Sequence, residues 1–314
     1  MTQLGSSGLD VSALCLGTNV FGWTADEAAS HAVLDAYVAG GGNFVDTADV
    51  YSAWVDGNSG GDSEAIIGSW LAKNPGRRDD LVIATKCSQL APNKGLGRAA
   101  ILGAADASLR RLHTDRIDLY WAHYDDPDTP LEETLAAFGE LIDAGKVRAI
   151  GASNYSAPRL AEALAVADRE GLPKYVALQP EYNLVEREEY ESTLAPIVAE
   201  HDLATVPYYG LAHGFLTGKY RPGGPAVDSP RARGAAAYLE QPGAVAVLEA
   251  LDAVAADHDT TVAAVALAWV AAQPHVAAPI ASARSVEQLR DLLPVNELRL
   301  TAGELDRLTS AAVA

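Results

Sequence analysis

The sequence predicts one (β/α)8 TIM barrel spanning residues 1–314, with an N-terminal hairpin and an extra C-terminal helix. Short apolar runs of strand character alternate with longer amphipathic stretches. Eight such βα repeats in one chain imply a closed parallel barrel with its sites at the C-terminal strand ends. The turn after the first strand reads Gly17-Thr-Asn-Val-Phe-Gly22-Trp23. It lacks the G-x-G-x-x-G pattern that a doubly wound dinucleotide-binding sheet places there. Finally, polar residues stand at the ends of successive apolar runs: Asp46, Lys86, His123 and Gln179.

In chain order, residues 4–11 suit a hairpin over the barrel bottom, turning at Gly5-Ser-Ser-Gly8. Strands are expected at 13–17, 43–46, 81–85, 118–122, 147–151, 175–178, 204–207 and 276–280. Helices are expected around 26–39, 63–72, 99–111, 131–144, 156–170, 189–201, 243–272 and 285–292. Acidic residues open the first two helices, at Asp26-Glu27 and Asp62-Ser63-Glu64, where they complement the helix dipole. Pro130 stands near the first turn of the fourth. Gly40-Gly41-Gly42, Pro75-Gly76, Gly145 and Gly171 supply stops. In the fourth helix Leu131, Leu135, Phe138, Leu141 and Ile142 fall on one face. Loops at 51–62 and 209–242 are long enough to shape a pocket, and 301–313 reads as a short added helix.

Composition excludes several classes of function. A net charge of −19 argues against nucleic acid and against anionic membrane surfaces as partners. No apolar run is long enough to span a bilayer. Met1-Thr-Gln-Leu-Gly5 has neither the basic region nor the apolar core of a signal peptide, so a cytoplasmic location is expected. Cys15 and Cys87, both at strand termini, read as buried free thiols. No zinc-spaced ligands and no nucleophile elbow appear, so no metal is expected. A monomer or a small homo-oligomer is the expected state.

Each polar strand-end residue, taken singly, has a structural explanation. Asp46 suits a cap, Tyr51 a surface aromatic, Lys86 a solvated cation, and His123 a satisfied core histidine. Together they make a chemical set. An aspartate pairs with a lysine, and the ammonium stabilises a phenolate. At ~4 Å and an effective dielectric of ~20 such a charge interaction approaches ~4 kcal/mol, enough to lower a tyrosine pKa by up to ~3 units against opposing desolvation. A phenol so tuned would serve as a general acid near neutrality, and a histidine beside it would orient a carbonyl.

These residues resemble the aldo-keto reductases over nearly the whole chain. Phe44-Val-Asp-Thr-Ala-Asp-Val-Tyr51 is similar to the family's Asp/Tyr signature, Ile83-Ala-Thr-Lys86 to its lysine strand, and Asp118-Leu-Tyr-Trp-Ala-His123 to its histidine strand. The segment from Leu141 to Tyr155 resembles the one that carries nicotinamide-amide contacts. The resemblance implies reversible NADPH-dependent reduction of a small carbonyl substrate, an aldehyde or ketone. Tyr51 would be the proton donor, Asp46 and Lys86 would tune it, and His123 would position the carbonyl. It implies NADP(H), with NAD(H) also possible, held at the carboxamide by Ser153, Asn154 and Gln179 and stacked on Tyr208. Leu211, Gly214, Leu216 and Lys219 would follow the pyrophosphate. Ser282, Arg284 and Gln288 would meet the adenosine phosphate. Tyr209-Gly210 stands where Ser-Pro is common, Ser282 replaces a frequent glycine, and Leu292 a frequent asparagine. The last change weakens the case for NADP over NAD, whereas Arg284 keeps a fork suited to phosphate.

Trp23, Trp54, Cys87, Tyr124 and Tyr209 are the expected pocket walls, and Trp121 is expected in the core. Little sequence follows residue 301, so an open pocket is expected. Two rivals stand beside the reductase. One is a cofactor-binding regulatory subunit resembling potassium-channel β subunits. The other is a barrel lyase or isomerase using Lys86 as a Schiff base.

Overall fold

The computed structural model describes residues 1–312. The chain opens with a two-stranded antiparallel hairpin, β1 (Thr2–Gln3) and β2 (Asp10–Val11). Eight parallel strands follow: β3 (Cys15–Gly17), β4 (Phe44–Asp46), β5 (Val82–Cys87), β6 (Ile117–Ala122), β7 (Val147–Ser153), β8 (Ala177–Gln179), β9 (Ala204–Thr205) and β10 (Ile280–Ala281). They lie in sequence order, with β10 beside β3. The wall closes because the segment before β10 bonds to both neighbours. Ala277 N donates to Thr205 O (2.9 Å), Ile280 N to Pro207 O (2.8 Å) and Cys15 N to Pro279 O (3.0 Å).

Strand side chains alternate between two faces. Phe44, Ala84, Leu119, Trp121, Ala149 and Ala177 point inward and fill the barrel together with Leu4, Leu9 and Val11 of the hairpin. Outward residues such as Val45, Ile83, Tyr120 and Ile150 pack in the clusters beneath the helices.

The helices are α1 (Glu27–Ala39), α2 (Asp62–Lys73), α3 (Arg98–Leu112), α4 (Leu131–Asp143), α5 (Ala157–Glu170), α6 (Ala195–Glu200), α7 (Ala232–Ala237), α8 (Ala244–Asp257), α9 (Val262–Ala271), α10 (Val286–Leu292) and α11 (Ala302–Ala311). The single helix expected over 243–272 is two. It breaks where Asp259 adopts φ 47° and Thr261 caps α9 by accepting from Ala264 N. Residues 263–270 are then all buried, because α8 covers the face of α9 that a surface helix leaves to water. The helix expected over 301–313 is α11, opened by a Thr301/Glu304 capping box. Residue 313 lies outside the described residues. Among the described residues no helix is long and apolar enough to cross a membrane.

Candidate active site

The period-2 alternation builds the site. Asp46, Ser153 and Gln179 each close a strand on its inward parity, Lys86 has that parity one residue before the end of β5, and His123 continues that of β6 one residue past its end. Tyr51 reaches the same place from the loop after β4. Lys86 is wholly buried, and its three N–H donors are all used. They go to Asp46 Oδ2, Thr47 O (2.8 Å) and the Tyr51 hydroxyl (2.9 Å). An ammonium has no acceptor to offer, so Tyr51 must accept from Lys86 and keeps its own proton free. Burial depresses the lysine, but Asp46 and Tyr51 outweigh it and hold the amine firmly protonated. That is the opposite of what a Schiff-base lysine needs.

Tyr51 departs from expectation. Desolvation outweighs the pull of Lys86, and Asp46 adds to it, so the phenol titrates above its ordinary value. Lysine pairing does not bring this tyrosine toward neutrality; it leaves a fully protonated phenol. His123 lies beside it, with ring centroids 6.2 Å apart. Burial and then Lys86 push the imidazole well below its usual range, so it is neutral, and its Nδ1 has no partner.

Both side groups face a cavity of about 770 Å³. Trp23 and Trp54 meet edge to face at 5.6 Å on its rim, where Trp54 is 50% exposed and Tyr124 46%. Tyr209 also lines it. Cys87 does not: its parity is outward, and its thiol sits in the core near Trp121 O (3.6 Å). Burial raises that thiol, with Asp49 adding to the effect.

Ser153, Asn154, Gln179 and Tyr208 line the cavity and are already bonded to one another. Tyr208 donates to Asn154 Oδ1 (2.8 Å), and Asn154 Nδ2 donates to His123 O (2.9 Å) and Ser153 Oγ (3.0 Å). Ser153 donates to Gln179 O (2.9 Å), while Gln179 Nε2 donates to Asp46 Oδ1 (3.0 Å). Leu211, Gly214, Lys219, Ser282, Arg284 and Gln288 also line the cavity. Leu216 does not; its side chain is fully buried among core residues. Ser282 donates to Asn19 (2.8 Å), and Gln288 accepts from Arg284 N (3.1 Å). Burial first, then Arg284 and Arg231, depress Lys219. Three cations thus line one cavity in a chain of charge −19, the setting that an anionic ligand relieves.

Sequence reasoning passed over three contributors. Trp121 donates its Nε1–H to Asp46 Oδ1 (3.0 Å), so it is more than core. The visible signal was its parity, two residues before His123. Arg231 lines the cavity and lies over the Trp23 ring (5.9 Å). Asn19 orients Ser282. Arg231 stands in the 209–242 loop expected to shape the pocket, but neither its contact nor that of Asn19 is readable from sequence, because each depends on how a loop folds back.

The pattern of the Aldo/keto reductase family matches residues 13–313. The chain is 36% identical to the Bacillus subtilis protein named uncharacterized oxidoreductase YrpG, over 95% of this chain and 91% of that one. It is 34% identical to an Arabidopsis thaliana protein named probable voltage-gated potassium channel subunit beta, covering 92% of this chain and 88% of that one. It is also 34% identical to Escherichia coli protein tas, covering 94% and 92%.

Proposed function

The chain belongs to the aldo/keto reductase family, and from that premise we propose that it is an NADPH-dependent reductase of aldehydes or ketones. The observation that carries this reading is the Tyr51 hydroxyl, which accepts from Lys86 and faces the cavity beside His123. The cavity residues suit a nicotinamide dinucleotide. Lys219, Arg231 and Arg284 form no ion pair among the described residues, amide and hydroxyl groups lie at the strand ends, and Tyr208 offers an aromatic face. Arg284, exposed at the cavity and followed by the Ser285 cap of α10, is the residue we assign to the 2′-phosphate. When bound, the cofactor supplies the hydride.

The chain's own residues supply the rest. His123, neutral, donates one N–H to the substrate carbonyl and fixes its orientation. Tyr51 gives its proton to the same oxygen as negative charge develops there. Lys86 lies behind that phenol and stabilises the phenolate left behind, while Asp46 keeps the lysine in place. Trp23, Trp54 and Tyr124 meet the substrate's apolar part, and the exposure of Trp54 and Tyr124 suits broad acceptance.

The test is NADPH oxidation with 4-nitrobenzaldehyde, comparing the native chain with Tyr51→Phe. We expect the variant to keep NADPH binding, seen by fluorescence quenching, and to lose at least about 10²-fold in turnover. Equal turnover in the two would remove Tyr51 from the mechanism. Binding without turnover by the native chain, across a panel of small aldehydes and bulkier ketones, would favour a cofactor-retaining regulatory subunit.

A further inference from the structure

Neither Asp46 nor Lys86 lines the cavity, yet Asp46 makes more side-chain contacts than the lysine alone requires. Its two oxygens have separate duties. Oδ2 accepts from Lys86, and Oδ1 accepts from Trp121 Nε1 and Gln179 Nε2, both at 3.0 Å. Turning the carboxylate about its axis would break all three bonds.

Trp121 is placed for this by the barrel register. Lys86 pairs with Trp121, and Trp121 with Gly151, on adjacent strands. A Cβ on Gly151 would lie 2.3 Å from the Trp121 ring, so only glycine there admits the indole. A ring needed for volume alone could be a phenylalanine. A buried indole N–H needs an acceptor, and here the acceptor is the aspartate of the site.

We propose that Trp121 is a positioning residue for proton delivery, acting with Gln179 as a donor pair that holds Asp46 with one oxygen turned to Lys86. This rests on the reading of Tyr51 as proton donor. It also settles which way Gln179 faces. A carboxylate only accepts, so the atom turned to Asp46 is the amide nitrogen, which leaves Oε1 for the cavity.

The electrostatic consequence has a direction. Lys86, Asp46 and Tyr209 act on Tyr51, and His123 lies beside it. Each N–H on Oδ1 draws off negative charge. Without the indole donor, Asp46 holds Lys86 more tightly to itself and less of the ammonium reaches the phenol.

The test uses the full chain free of cofactor, labelled with 15N-tryptophan. Five indole signals are expected, one per tryptophan. The signal that vanishes in Trp121→Phe should move upfield in Asp46→Asn, as its acceptor loses charge. If that signal is unmoved in Asp46→Asn, the bond does not exist and the proposal falls. In turnover, Trp121→Phe should lower kcat about tenfold with KM for NADPH unchanged, and Trp121→His, which keeps an N–H, should recover part of it. A loss that Trp121→His does not recover would mean packing only and would overturn the positioning role. If Trp121→Phe does not fold, the Asp46→Asn comparison decides, with Trp121→His used to assign the signal. Full turnover by Tyr51→Phe would defeat the reading of Tyr51 and leave the indole result standing, so the two failures are distinguishable.

Discussion

Two carboxylates are buried in the barrel wall, and they differ in where their hydrogen bonds end. Asp118, at the start of β6, accepts from Ile83 N (3.0 Å) and lies against Arg78 (2.7 Å) and Arg148 (3.1 Å). Arg148 is 48% exposed and Arg116, 3.7 Å from Asp118, is 29% exposed, so water solvates the cluster's excess positive charge. Asp46, at the end of β4, pairs with a lysine that is 0% exposed, and the last donor of that lysine goes to a phenol on the cavity. The Asp118 cluster is closed; the Asp46 cluster ends at the Tyr51 hydroxyl, which faces the cavity. Burial and pairing alone therefore do not mark a site. What separates the Asp46 cluster is that its chain of bonds stops at a cavity.

The largest effect should come from cutting that open chain. Lys86→Met keeps volume and removes the charge, and steady-state turnover should fall by about 10³-fold in a protein that still folds. If turnover persists, the open end of the Asp46 cluster has no catalytic meaning. Asp118→Asn should do the reverse. Chemical denaturation should show a loss of about 3 kcal/mol, because the arginines lose a buried partner, with kcat nearly unchanged. A folded Asp118→Asn protein lacking activity would erase the distinction between the two ends.

Asp49 tests an intermediate case. It is buried two residues before Tyr51, and its Oδ1 has no partner. Burial, then Glu64, push it up to about 7 against the pull of Arg111. The folded state therefore binds the proton more readily than the unfolded chain, where an aspartate titrates near ~3.9. Its destabilising cost is full above pH 7 and fades as pH falls toward ~4. Asp49→Asn should raise stability by on the order of 2 kcal/mol at pH 8, with the gain shrinking toward pH 5. A gain independent of pH would show that ionisation is not its source. The smallest effect is expected from Arg284→Gln: KM for NADPH rising about tenfold while KM for NADH barely moves. Equal rises would place Arg284 away from the 2′-phosphate.

Much of the strand-end chemistry was legible because a strand's period is fixed. Asp46, Lys86 and Gln179 close apolar runs, and the same alternation, applied strictly, would have sent Cys87 outward and Trp121 inward. The break at 258–261 carries a local signal too: Asp257-His258-Asp259-Thr260-Thr261 is a polar run between two stretches rich in alanine and valine, and it ends in a residue type suited to cap the next helix. Leu216 looked like a cofactor contact only through its place in a motif, whereas its burial depends on how the turn at 209–214 folds. That turn places Tyr209, Ala212 and His213 at positive φ, which no residue type there announces.

By itself the sequence determined the order of eight βα repeats and which residue types meet at the C-terminal strand ends, since periodicity and strand termini are local properties. Only the tertiary structure decided the balance of fields at Tyr51, because desolvation depends on everything packed around a group and here outweighs a lysine 2.9 Å away. It also decided that an indole, admitted by Gly151 on the neighbouring strand, should hold Asp46. Closure of the barrel brought those residues together; nothing in their spacing along the chain did so.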